Sequence, residues 1–282
     1  MSDSLPAAYA HCDGLLRAND RDQWLCNLFA PEAKRPHLAA LHAFALEMAM
    51  VRDKITDPMA GEIRLQWWRD GLAGQGRGEV SANPLAAALL DTISRFRLPM
   101  QAFVDLITAR EFDLYHDPMP DIAALELWCG SIFGATLRLA CLILADGDDP
   151  GGATAAGHAG MALGITSLLR DLARASRHRR CYLPGDVLAR HGLAVADVLA
   201  HLQSPAMRAA LAEMRGLARW HLAEAGLGRG DAAALIAPAF LGLALVEPGL
   251  RQMDKPGYDP FRTIIDVPQW RKQWAIWRAA RK

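Results

Sequence analysis

Apolar residues recur at helical spacing along almost every long segment of this chain, and no convincing run alternates apolar and polar positions as a half-buried strand would. Low β-branched content and abundant Ala, Leu and Arg act in the same direction. The pattern predicts helices over residues 7–28, 36–56, 60–74, 84–96, 100–116, 121–145, 153–177, 194–202, 205–226, 231–246 and 268–280. The breaks between them are short: Pro31 and Pro36 bracket one loop, Asp57-Pro58 ends a helix, Gly74, Gly76 and Gly78 form a flexible link, and residues 145–152 form a turn-rich loop. None is long enough to separate independent domains, so the expected architecture is all-α, with residues 1–282 forming one single-domain helical bundle.

Within the helix predicted over 153–177, Gly164, Ser167, Asp171 and Ala175 share one face. A carboxylate every fourth residue on such a face is how a helical enzyme gathers Mg²⁺ ions around a diphosphate. Asp171 is the only acid there, so the segment reads as half a metal site. The Gly160/Gly164 pair reads as a device that lets two helices approach closely.

Two motifs extend this reading. Leu168-Leu-Arg-Asp171 is followed by Tyr182-Leu-Pro-Gly-Asp186, with the helix of Leu38–Asp53 upstream. Together they resemble the squalene/phytoene synthases, helical enzymes of the isoprenoid-synthase fold. The resemblance implies a bundle around a central cavity in which acids on two walls hold Mg²⁺ and ionise a prenyl diphosphate. The first acidic motif of that family falls on Ala49, Met50 and Asp53, and the second on Ser167, Asp171 and Ala175. One acid survives on each wall, which holds hydrated Mg²⁺ poorly. Further segments (Val51–Asp53, Asp57–Asp70, Ala109–Pro120, Gly257–Phe261 and Pro268–Arg278) are similar to a divergent branch of the family. That branch includes the assembly factor of mitochondrial respiratory complex I and its bacterial relatives.

The resemblance implies a protein that is not an enzyme, acts in respiratory complex I assembly or as a lipid- or prenyl-binding scaffold, and needs no cofactor. The alternative is a Mg²⁺-dependent head-to-head prenyltransferase acting on farnesyl or geranylgeranyl diphosphate. On either reading Asp53 and Asp171 are the remnant catalytic acids, joined in the active alternative by Asp57 as a metal ligand. Arg170, Arg174, Tyr182 and His42 are candidate cavity or anion-binding residues.

Each of these residues also has a structural reading. Asp171 beside Arg170 forms a buried ion pair near a helix end, and Asp57 before Pro58 caps the next helix. The run Arg174, Arg177, His178, Arg179 and Arg180 is a solvated helix end or, alternatively, a phosphate site. His42 is a hydrogen-bonded core histidine, and Trp67 and Trp68 fill space between helices. Trp270, Trp274 and Trp277 form an aromatic stripe rimmed by Arg271, Lys272, Arg278, Arg281 and Lys282. That stripe docks the last helix internally, or it meets a membrane or a protein partner.

Composition narrows the remainder. Thirty-one basic and 31 acidic residues give zero net charge, which offers no electrostatic footprint for nucleic acid. Five scattered cysteines without a C-x-x-C pair suit a reducing compartment. There is no secretory signal pattern, and the apolar runs Ala232–Val246 and Leu139–Ala145 fall short of the ~20 residues of a membrane span. The expected location is cytoplasmic, with peripheral contact at the inner membrane through the tryptophan stripe.

Overall fold

A computed structural model of the chain describes residues 4–55, 57–75, 80, 82–227, 233–265 and 267–281. Gly76 and Gly78 of the predicted link, the start of the helix predicted from residue 231, and Lys282 lie outside the described residues. Among the described residues every regular element is helical. The chain runs α1 (Ser4–Asn19), α2 (Arg21–Asn27), α3 (Arg35–Met50), α4 (Pro58–Leu72), α5 (Pro84–Phe96) and α6 (Met100–Glu111). Next come α7 (Ile122–Cys129), a π turn (Gly130–Gly134), α8 (Ala135–Leu144), α9 (Ala153–Arg170), α10 (Leu172–Arg177), α11 (Gly185–Arg190) and α12 (Val195–Leu199). The last part comprises α13 (Pro205–Leu227), α14 (Ala233–Ile236), a 3₁₀ stretch (Ala237–Leu245), α15 (Val246–Met253) and α16 (Gln269–Ala279).

The helix starts follow from side-chain caps. The carboxylates of Asp20, Asp57 and Asp121 and the Asn83 amide oxygen accept from the backbone N–H of Gln23, Met59, Ala124 and Ala86, with Pro58 and Pro84 at the first helical positions. Asp20 thereby divides the predicted helix 7–28 in two. The helix predicted over 36–56 gives way after Met50 to a 3₁₀ turn at Arg52–Lys54. That predicted over 153–177 is interrupted at Asp171. Two helices went unpredicted because proline or glycine reads as a stop: α11 follows Pro184, and α15 carries Pro248 in its first turn, where the missing N–H costs no intrahelical bond.

Helix α9 is the central element. It lies along α13 and touches α7, the π turn, α8 and α15. A Cβ on Gly160 would stand 2.2 Å from the backbone nitrogen of Gly134, and one on Gly164 would stand 2.5 Å from Cys129 Sγ. All five cysteines are buried and free. Trp68 is buried edge-on against Phe44 and Trp67, as expected of a core filler.

One sequence expectation is overturned. Ile122–Leu144 (23 residues) and Ala233–Met253 (21 residues) each contain an 18-residue stretch with a mean hydropathy of 1.8 and are long and apolar enough to cross a membrane. Counting only uninterrupted apolar residues missed them, because scattered polar positions such as Glu126 and Arg138 leave the average high. That stretch of the first is 56% buried, and the segment packs against α9 and α3, as a core helix does.

The Gly160 contact generates a stability test. Gly160→Ala forces two backbones apart and is expected to lower unfolding free energy by about 3 kcal/mol or more. Gly216→Ala, in α13 with open space around it, is expected to raise it by about 0.5–1 kcal/mol. Urea denaturation midpoints measure both.

Candidate functional site

A cavity of about 660 Å³ opens between the end of α3, the α9–α10 junction, the start of α2, and α16. Ala49, Met50 and Asp53 line one wall and Ser167, Asp171 and Ala175 another, so both depleted acidic motifs face the same space. A smaller chamber of about 290 Å³ shares Leu46, Ala49, Phe133, Ser167 and Arg170 with it and runs on between Leu137, Leu163, Leu245 and Val246. The pair forms a charged mouth with an apolar extension. The π turn puts Phe133 on the wall of both.

The basic run after Asp171 divides in two for a local reason. Arg179 takes a left-handed backbone (φ 58°). The N–H of Arg180 then donates to Ala175 O at 2.9 Å and that of Arg179 to Ser176 O at 2.9 Å, a Schellman closure of α10. A non-glycine residue there costs roughly 1–2 kcal/mol. The reversal leaves Arg177, His178 and Arg179 in solvent and returns Arg180 to the cavity wall. The solvated-end reading therefore holds for three residues, while Arg174 and Arg180 face inward.

Arg174 joins the two surviving acids. Its Nη1 donates to Asp53 Oδ2 at 2.7 Å and its Nη2 lies 3.4 Å from Asp171 Oδ2. Arg180 Nη2 stands 3.6 Å from Asp53 Oδ1, and Arg170 Nε 3.8 Å from Asp171 Oδ1. Burial opposes the charge on Arg174, but the two carboxylates outweigh it and hold the guanidinium above its ordinary range. Its side chain is 60% exposed, so the bridge contributes only about 0–1 kcal/mol to stability. The Arg170–Asp171 pair is half-exposed as well, which corrects the expectation of a buried ion pair.

Deeper in the wall, Arg110 and Asp113 pair at 2.9 Å with side chains only 10% and 9% exposed. Tyr182 OH donates to Asp113 Oδ1 at 2.8 Å. Burial raises the Tyr182 phenol well above its ordinary range, and the Asp113 charge adds to the shift. The Arg110 guanidinium lies 5.5 Å from the Trp128 ring centre and 5.9 Å from that of Phe133. The Nε groups of Arg52, Arg110 and Arg180 are buried on this wall without a hydrogen-bond partner. Such donors are costly unless something accepts from them.

On the opposite rim, Asp22 receives Lys272 Nζ at 2.7 Å and Gln269 Nε2 at 3.4 Å, which ties α16 to α2. Burial raises the Asp20 carboxyl, and its cap bond from Gln23 N opposes the shift. His42 borders the smaller chamber, with Gln23 Nε2 at 3.4 Å from both ring nitrogens. Asp57 stands instead at the exposed N-cap of α4, away from both cavities, because Pro58 fixes it there. The three-acid set Asp53, Asp57 and Asp171 is therefore not assembled.

Sequence reasoning missed Arg52, Arg110, Asp113, Asp20, Asp22 and Lys272 as lining residues. The i,i+3 spacing of Arg110 and Asp113 was a usable signal, as was Asp20 three residues before Gln23. Their pairing with Tyr182 and Lys272 depends on distant chain.

The donor set does not fit a Mg²⁺ cluster. The carboxylates left in the two acidic motifs, Asp53 and Asp171, both face guanidinium groups, and Asp113 and Asp22 are paired with Arg110 and Lys272. Among the described residues no three His, Cys, Asp or Glu side chains come together to hold a metal.

A sequence model of squalene/phytoene synthases matches residues 16–278, and the chain belongs to that family. It is 27% identical over 281 residues to NADH dehydrogenase (ubiquinone) complex I, assembly factor 6, of Rattus norvegicus, covering 96% of this chain and 84% of that protein. It is 30% identical over 200 residues to presqualene diphosphate synthase of Zymomonas mobilis, covering 68% of this chain and 66% of that protein. Among solved structures, squalene synthase HpnC from Alicyclobacillus acidocaldarius superposes with a TM-score of 0.72 at 24% identity over 89% of this chain and 96% of that one. A dehydrosqualene synthase in complex with ligand gives 0.77 at 18% identity over 98% and 96%. The fold is the all-α isoprenoid-synthase fold.

The buried histidine beside the chamber makes stability depend on pH. Burial lowers His42 to about 4 from an ordinary value of 6.5. The unfolded chain takes up the proton first, so His42 contributes stability above pH 6.5 that is lost as pH falls toward 4. His37, also lowered to about 4 by burial, adds to the same window. Urea unfolding between pH 7 and pH 4 is expected to show this fall and a shallower one in His42→Gln.

Proposed function

We propose that this member of the squalene/phytoene synthase family performs no prenyl transfer, works in assembly of a respiratory NADH dehydrogenase complex, and keeps its cavity as a chamber for a lipid or prenyl ligand. The observation that carries the reading is Arg174, which spans Asp53 and Asp171 from one wall to the other. Ionising a diphosphate requires cations that gather on the leaving group as its charge grows. In this cavity a covalently tethered cation already neutralises the acids that would recruit them. The similarity to the assembly factor along 96% of the chain supports the assembly role.

The cavity remains suited to binding. Arg170, Arg174 and Arg180 offer guanidinium forks that match phosphate oxygens without a metal. The apolar chamber behind them suits a hydrocarbon chain. We place the protein in the cytoplasm, peripheral to the inner membrane, with a subunit or assembly partner of the complex bound to it and no resident cofactor. A second reading, Mg²⁺-dependent head-to-head condensation, draws on the 30% identity to presqualene diphosphate synthase. It would have to use Asp53 and Asp171 without Asp57, which caps α4 away from the cavity.

Purified protein given farnesyl or geranylgeranyl diphosphate with Mg²⁺ is expected to release no pyrophosphate above a protein-free blank. Turnover that disappears in Asp171→Ala would overturn the non-catalytic reading. Membranes of a strain lacking the gene are expected to lose most of their NADH:quinone activity and to regain it with the wild-type gene. Unchanged activity would overturn the assembly role.

A further inference from the structure

Helix α16 is fixed in rotation by its inner face. Ile276 is 1% exposed and packs against Cys26 and Leu241, while Lys272 and Gln269 reach Asp22. The helical period then turns the indoles outward, leaving Trp270 63% and Trp274 54% exposed. Trp274 and Trp277 stack at 4.9 Å, and with Leu25 and Phe29 they line an open groove of about 560 Å³. A contiguous aromatic patch of this kind marks an interaction surface, unlike singly scattered apolar residues.

Charge identifies the occupant. Residues 269–281 contain Arg271, Lys272, Arg278 and Arg281 and no acid, in a chain whose net charge is zero. Lys272 is neutralised by Asp22, which leaves three arginines beside the indoles. Arg271 lies 5.1 Å from the Trp270 ring centre, and Arg281 lies 3.8 Å from that of Trp277. Indoles paired with cations suit the boundary between acyl chains and anionic headgroups.

We propose that the exposed indole face of α16 docks the protein on an anionic lipid bilayer. Gln269 and Lys272 on the same helix line the large cavity, so docking brings that cavity close to the membrane surface. This consequence rests on the lipid-chamber reading above; the docking does not.

Co-sedimentation of the full chain with vesicles tests the surface. The protein is expected to bind mixed phosphatidylcholine–phosphatidylglycerol vesicles and to leave pure phosphatidylcholine vesicles in the supernatant. Arg271→Gln with Arg278→Gln is expected to weaken binding roughly thirtyfold. Trp270→Ser with Trp274→Ser is expected to weaken it about tenfold or more, with an unchanged urea midpoint because both side chains are exposed. Full binding by the tryptophan variant, or equal binding to neutral vesicles, would overturn the proposal. Absence of wild-type binding would overturn it too and leave the groove to a protein partner. NADH:quinone activity and pyrophosphate release report on the proposed function independently of these results.

Discussion

Helix α9 runs so close to the π turn that its backbone has no room for a side chain at Gly160, where it meets Gly134. A second approach, Gly164 against Cys129, fixes the helix one turn further along. These two contacts set how far α9 stands from α7 and α8, and therefore where its far end emerges. That end carries Asp171, and α10 continues from it to Arg174. The charge arrangement in the cavity thus follows from a packing constraint on glycine, and loosening that constraint would move a whole wall.

The charges placed this way follow a different logic from that of a metal enzyme. Two acids facing each other across a cavity repel, and something positive must lie between them. A free divalent ion would meet this need exchangeably, arriving with substrate and leaving with product. A guanidinium on its own helix meets it permanently and adds flat donor edges suited to holding an anion in place. The buried, unpaired Nε groups of Arg52, Arg110 and Arg180 extend the same preference around the wall. On the proposed reading such a cavity is suited to holding an anionic ligand rather than turning it over, and the apolar chamber behind it gives a chain somewhere to lie.

Much of this was legible in the sequence wherever a single helix decides the answer. The spacing of Ser167, Asp171 and Ala175 put them on one wall, and Ala49, Met50 and Asp53 fell on the facing one. Asp57 before Pro58 read as a cap and is one. What stayed hidden depended on contacts between distant segments or on backbone conformation. Tyr182 meets Asp113 across 69 residues, a pairing that no local pattern encodes. The division of the arginine run needed the left-handed turn at Arg179, where an arginine gives no sign of the conformation that glycine would announce. The tryptophan stripe was visible as a stripe, but its outward rotation is set by Ile276 and by the bond to Asp22.

That bond joins residues 250 positions apart. During synthesis Asp22 leaves the ribosome well before Lys272 does. Until Lys272 emerges, the nascent chain therefore lacks one rim of its cavity, and the apolar lining behind it stands open to water and to chaperones. Closure is a late, long-range event, slow by its topology. A ligand present at the moment α16 folds down could be enclosed as part of the folding reaction itself.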